Sequence, residues 1–189
     1  MTKKMQIDKI NGNGAPVLLH ICCGICASSV ISQLKEENYR VTGFFCNPNI
    51  HPREEYDKRL EVVQYVSKTL EIDLIVAGYD NIKWLELTDI YKNEPEGGKR
   101  CGVCFKIRLE ETYKKATEMN IPFFATTLTV SPHKNAGIVN KTGLEIDSKS
   151  FLVRDFKKKD GYKKSVDFSK LHNLYHQHYC GCVYSLPVS

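Results

Sequence analysis

Seven of the eight cysteines fall into three tight groups, Cys22-Cys23-x-x-Cys26, Cys101-x-x-Cys104 and Cys180-x-Cys182. Thiolates grouped in this way are metal ligands or a redox relay. A fold that uses them together has to carry segments from both ends of the chain to one place. Seven also exceeds the four thiolates that a structural zinc or a four-iron cluster takes, so three are left for a second role.

The first residues, Met-Thr-Lys-Lys-Met-Gln-Ile-Asp, lack the apolar run of a signal peptide, and no stretch has the length of a membrane span. The chain therefore reads as cytoplasmic, with no membrane partner. In a reducing compartment such cysteines bind metal or do chemistry rather than form disulfides. With 42% hydrophobic residues in 189, there is enough to bury one core. Residues 1–15 end Asn-Gly-Asn-Gly and read as a flexible leader. Residues 16–189 read as a single α/β catalytic domain with the metal centre and a basic C-terminal segment.

Short apolar runs alternate with helical patterns. Strands are expected over Pro16–Cys23, Tyr39–Cys46, Asp73–Tyr79 and Pro122–Val130. Between them lie helical stretches: Ala27–Lys35, a long helix opened by Pro52, Ile82–Tyr91 and Cys101–Asn120. A further helix begins near Asn135, and another covers residues 163–175. This alternation predicts an α/β fold with a parallel sheet sandwiched by helices. Ligands of such sheets bind beyond the carboxyl ends of the strands, where Cys22-Cys23 and the Ser131-Pro132-His133 turn both fall.

Adjacent residues at a strand end point in opposite directions, so Cys22 and Cys23 are expected to serve two centres. Cys26 sits in the first turn of the next helix, where backbone amides favour thiolate. Cys101 and Cys104 share a helix face. Cys46 stands alone after Phe44-Phe45 and reads as a buried small hydrophobe. His133 and Lys134 are placed to hold an anion or donate a proton, and His172/His176 is a weak metal pair. From Arg154 to Lys170, seven basic residues face three aspartates and account for most of the net charge of +5. Phe156, Tyr162 and Phe168 interleave with them, a pattern that suits RNA and equally a solvated lysine-rich face.

Six segments resemble the QueH family of epoxyqueuosine reductases: LLHICCGICASSV, FFCNPNIHPREEYDKR, KRCGVCFKIRLEET, TTLTVSPHKN, DFKKKDGYKKS and LYHQHYCGCVYS. Gly24-Ile25 departs from the Ala-Pro of many members and is expected to alter loop stiffness, not ligands. The resemblance implies reduction of epoxyqueuosine to queuosine in the tRNA anticodon loop, the last step of queuosine synthesis, without cobalamin. It implies a fold similar to nucleotide-binding, tRNA-modifying α-hydrolase-like proteins, although the Ser-Gly-Gly-x-Asp-Ser loop of ATP users is missing. It further implies a 4Fe–4S cluster and a second mononuclear ion, iron or zinc, on Cys22, Cys23, Cys26, Cys101, Cys104, Cys180 and Cys182. We expect Cys22, Cys101, Cys104 and Cys180 on the cluster, and Cys23, Cys26 and Cys182 on the ion. His133 and Tyr162 are the expected proton donors, and a small redox protein the external electron donor. Arg154, Lys157, Lys158, Lys159, Lys163 and Lys164 are expected to grip the tRNA. The rivals are a zinc-stapled RNA-binding module and a thiol-dependent tRNA-modifying enzyme.

Overall fold

The structure is a computed structural model that describes residues 11–186. Four strands, β1 (Pro16–His20), β2 (Arg40–Phe45), β3 (Asp73–Val76) and β4 (Phe123–Thr126), form one parallel sheet in the order β3-β2-β1-β4. The helices are α1 (Gly24–Glu36), α2 (Arg53–Thr69), α3 (Ile82–Asp89), α4 (Lys99–Glu118), α5 (Ala136–Ile146) and α6 (Gly161–Leu171). Helix α1 packs against α2 and α6, and α4 packs against α5, β1 and β4. Right-handed crossovers put α1 and α2 on one face and α4 on the other. The expected sandwiched parallel sheet is therefore present. Its strand order reverses between β1 and β4, the position where such sheets open a crevice at their carboxyl ends.

The core follows from the sequence pattern. Val17, Leu18 and Leu19 of β1 are fully buried, as the central strand of a two-sided sheet must be. Val30, Ile31 and Leu34 of α1 and Val63 and Val66 of α2 are also fully buried. No described helix is long and apolar enough to cross a membrane.

Several elements are shorter than the sequence reading has them. β1 ends at His20, whose ring bonds Thr126 Oγ1 at 2.9 Å and the Cys46 carbonyl at 3.2 Å. β4 ends at Thr126 because its hydroxyl captures the Leu128 amide at 3.1 Å and the chain winds into a 3-10 turn over Thr127–Val130. β3 stops at Val76, and the last helix spans Gly161–Leu171 rather than residues 163–175. Residues 1–10 of the leader lie outside the described residues. Its end is tied to the α1–β2 turn, through Gly12 N to Glu37 O at 2.6 Å and Gly14 N to Asn38 O at 2.8 Å.

Gly24 opens α1 where α2 comes closest. A Cβ there would meet Val62 Cγ1 at 2.5 Å and the Val62 carbonyl carbon at 2.7 Å. In this chain Gly24 is thus a packing requirement. Gly24→Ala is expected to cost about 1–3 kcal/mol, lowering the melting temperature by about 2–4 °C per kcal/mol. An unchanged melting curve would show that α2 yields at no cost.

Candidate metal centre

The three cysteine groups line one cavity of about 490 Å³ beyond the carboxyl ends of β1 and β4. Cys22 and Cys23 lie past the end of β1, where strand alternation no longer applies. Cys23 is the extended N-cap of α1, and Cys26 enters from its first turn. The Sγ atoms of Cys22 and Cys23 are 3.8 Å apart, and those of Cys22, Cys23 and Cys26 all lie within 4.8 Å of one another. Cys22 and Cys23 therefore face the same point. Tetrahedral ligands at a Zn–S distance of ~2.3 Å stand ~3.8 Å apart. The triad thus has the spacing of a mononuclear site.

Hydrogen bonds fix this triad. Thr127 Oγ1 accepts from the Cys22 amide at 3.0 Å and donates to Cys22 Sγ at 3.3 Å. Gln177 Nε2 donates to Cys23 Sγ at 3.1 Å. The Cys23 and Cys26 thiols, followed by the Lys134 charge and the Thr127 hydroxyl, hold the Cys22 thiol well below its usual range. In return the Cys23 thiol is pushed up to about 12, chiefly by Cys22, and Cys26 is pushed well above its usual value. Metal binding to such a triad releases the protons its thiols still carry.

The other four thiols meet at the N-terminal end of α4. Cys104 and Cys182 pack with Trp84 of α3 in a small apolar cluster that Cys180 borders. Cys101 accepts from the Gly97 amide at 3.2 Å and feels the charges of Cys104 and Cys180, although burial is the main cause that raises its thiol pKa. The Cys182 thiol brings Cys180 down to about 5, against burial and with help from Ser185 and Lys134. Lys134 thus acts on both groups. Among the described residues no second group of three metal-binding side chains is as tight as the first.

The tail carrying Cys180 and Cys182 is pinned by α2. Arg59 and Glu55, both buried, pair at 2.7 Å. Arg59 Nη1 donates to the Cys180 carbonyl at 3.1 Å and Nη2 to that of Tyr179 at 3.0 Å. Tyr175 donates to Glu55 at 2.6 Å. Gly181 takes φ +96°, a left-handed turn that suits glycine. Four buried polar atoms on the cavity wall lack a protein partner: Asn47 Oδ1, Asn49 Oδ1, Trp84 Nε1 and Arg100 Nε. Unsatisfied groups at this density mark a place built for something other than protein. Together with reduced, sulfur-rich walls, they fit a metal centre.

The remaining expected residues divide. His133, which is exposed, and Tyr162, which is half-buried, line the same cavity. Lys158, Lys159, Lys163 and Lys164 are exposed around the start of α6. Arg154 is not a free cation, because it pairs with Glu37 at 3.1 Å. Lys157 reaches back to the Lys134 carbonyl at 3.1 Å. Phe156 is 2% exposed and belongs to the core rather than to a stacking surface. His172 is bonded to the Tyr65 hydroxyl at 2.9 Å and lies outside the thiol triad. Cys46 is buried, which pushes its thiol up to about 12. Sequence reasoning missed Gln177, Trp84, Arg59, Arg100 and Arg108. Their signal was position alone, four of them falling within the quoted segments that carry cysteines.

The sequence model described as "Epoxyqueuosine reductase QueH" matches residues 17–187. A protein of that description from Streptococcus pyogenes is 37% identical over 178 residues, covering 89% of this chain and 69% of the relative. Another from Thermotoga maritima is 35% identical, with 90% of each chain covered. Among solved structures, the U34-tRNA thiolase NcsA from Methanococcus maripaludis with its 4Fe–4S cluster aligns with a TM-score of 0.60 at 14% identity, over 94% of this chain and 63% of that one. That likeness establishes the fold. With a family match over nearly the whole described chain and relatives at this identity, the chain belongs to the QueH family of epoxyqueuosine reductases.

Proposed function

We propose that this protein reduces epoxyqueuosine to queuosine in the anticodon loop of tRNA. The observation that carries the reading is the gathering of six reduced thiols in the lining of one cavity beside His133 and Tyr162, with Cys23 next to Cys22 and Cys26, on a chain whose relatives are named for that reaction. The domain 16–189 supplies the site, and the cytoplasm its compartment.

We infer from the thiol spacing a division of the donor set that differs from the sequence expectation. Cys22, Cys23 and Cys26 would hold a single ion, iron or zinc, because their spacing matches one tetrahedron. Cys101, Cys104, Cys180 and Cys182, less tightly gathered, would hold a 4Fe–4S cluster. When bound, the cluster supplies electrons singly and an open-sited ion supplies Lewis acidity toward the epoxide oxygen. Turning an epoxide into an alkene consumes two electrons and two protons and releases water. Apart from a single oxidation of paired thiols to a disulfide, no side chain here supplies the electrons, so a small redox protein would deliver them for turnover. His133 at the cavity mouth and the Tyr162 hydroxyl would deliver protons to the departing oxygen. Lys134, whose charge adds to that of the neighbouring thiols in lowering Cys22 and Cys180, would help hold these two thiols in the anionic form that binds metal.

Anaerobic turnover of epoxyqueuosine tRNA with a chemical reductant, followed by nucleoside analysis, tests the reading. Queuosine should accumulate, and an iron-loaded protein that forms none would refute it.

Lys158, Lys159, Lys163 and Lys164 would form the tRNA-facing surface, extended to the cavity by Lys157. Replacing the four exposed lysines with alanine should weaken tRNA binding. The slope of log K against log salt should fall by about 0.7–0.9 per lost phosphate contact. Arg154→Ala should instead lower stability, because Glu37 loses its partner. Fluorescence anisotropy at several salt concentrations separates the two; equal losses from all five positions would contradict this division.

A further inference from the structure

Past β2 the chain turns through Asn47-Pro48-Asn49-Ile50-His51-Pro52 before α2 begins. Bonds from several elements hold this turn still. Ile50 N donates to the Asn47 carbonyl at 3.2 Å, His51 N to the Gly181 carbonyl at 2.8 Å, and the Tyr79 hydroxyl to the Ile50 carbonyl at 2.8 Å. Asn81 Nδ2 donates to His51 Nε2 at 2.9 Å, which leaves the Nδ1–H of His51 to donate to the Asn49 carbonyl, also at 2.9 Å. Asn47 gives its Nδ2 to the Ile21 carbonyl at 2.8 Å and lies beside the His20 ring. Asn49 differs from these neighbours. It is 3% exposed and lines the thiol cavity, yet its Oδ1 has no partner among the described residues. A buried amide oxygen without a hydrogen bond is costly. A rigid turn that sets one into a cavity wall is arranged for a donor that arrives with the contents of the cavity.

The chemistry of that donor follows from the wall. An amide oxygen carries no net charge, and the carboxylate in the lining, Glu96, is exposed. Asn49 therefore suits a neutral hydroxyl, whereas an amine cation calls for a carboxylate. The cyclopentane of epoxyqueuosine carries a vicinal diol beside its epoxide, and this is the end of the substrate that has to reach the thiol-lined wall. We propose that Asn49 Oδ1 accepts a hydrogen bond from a hydroxyl of that diol and so orients the epoxide inside the cavity. Asn49 binds substrate directly; His51 is a positioning residue that acts through the Asn49 backbone. The inference rests on the reading of the protein as an epoxyqueuosine reductase, and on no assignment of particular cysteines to a cluster.

The test is a double cycle between protein and substrate. Metal-loaded wild type, Asn49→Leu and Asn49→Asp are supplied with a chemical reductant and with an anticodon stem-loop carrying epoxyqueuosine or its counterpart lacking the diol hydroxyls. Wild type should lose about 10- to 100-fold in kcat/KM on the deoxygenated substrate, the effect of one unpaired buried hydrogen-bonding group. Asn49→Leu should lose a similar factor on the natural substrate and then treat the two substrates alike. Asn49→Asp keeps an acceptor oxygen and should still prefer the diol. A Leu variant whose loss simply adds to that of the deoxygenated substrate overturns the proposal. So does a wild type that reduces both substrates equally well, an outcome that needs no variant to fold or to keep its metal. A metal-loaded wild type that reduces neither substrate sinks the functional reading along with this inference, whereas additive losses sink this inference alone.

Discussion

Cys104→Ser and Cys182→Ser are each expected to abolish the brown colour of anaerobically purified protein, with iron content falling more than ~10-fold and epoxyqueuosine reduction reaching background. Both thiols are buried, at 7% and 6% exposure, and pack together against Trp84. Serine nearly preserves the volume but replaces a soft thiolate with a harder and much weaker ligand for an iron–sulfur cluster. The helix should survive, because Cys104 contributes no side-chain hydrogen bond to it and Arg108 bonds only its backbone carbonyl. Circular dichroism should then match wild type while absorbance does not. The control is Cys46→Ser. That thiol is buried, pushed up to about 12, and outside the cavity lining, so the variant should stay brown. A colourless Cys46 variant, or an iron-replete Cys182 variant, would show that the cluster is held elsewhere.

The parallel sheet was legible because its strands are short apolar runs separated by helices with clear stops, such as Pro52 and Glu94-Pro95-Glu96-Gly97-Gly98. The strand ends were not, because side chains set them: Thr126 turning onto the Leu128 amide, and His20 bridging Thr126 and Cys46. The list of clustered thiols was also legible, since spacing alone marks them. Their grouping was not. The strand-alternation argument for Cys22 and Cys23 assumes that β1 continues to Cys23, and β1 stops at His20. Once the backbone leaves the pleat, Thr127 grips both the amide and the sulfur of Cys22 and turns it toward its neighbours. The basic segment shows the same limit. A count of charges cannot tell that Arg154 is matched by Glu37, more than a hundred residues earlier, or that Phe156 faces the core.

Cys22→Ala discriminates between the two divisions of the seven thiols. The sequence-based division puts Cys22 on the cluster and Cys182 on the single ion, so Cys22→Ala should bleach the protein and a Cys182 variant should not. The geometry reverses both outcomes. With its Sγ 3.8 Å from that of Cys23 and the whole triad within 4.8 Å, Cys22 would share an ion with Cys26 under the proposed division. Cys22→Ala and Cys26→Ala should then behave alike, each losing the second metal while the iron–sulfur absorbance and the reduction midpoint persist. Activity should fall by several orders of magnitude, because electrons can still be stored but the epoxide oxygen is no longer polarised. Cys22 is the more informative of the two. It is the thiol whose pKa the Cys23 and Cys26 thiols, the Lys134 charge and the Thr127 hydroxyl all lower, so its removal should disturb the triad without touching the α4 group. Metal analysis alongside the absorbance spectrum decides the matter: a Cys22→Ala protein that loses its colour along with its second metal would place Cys22 on the cluster and refute the geometric division.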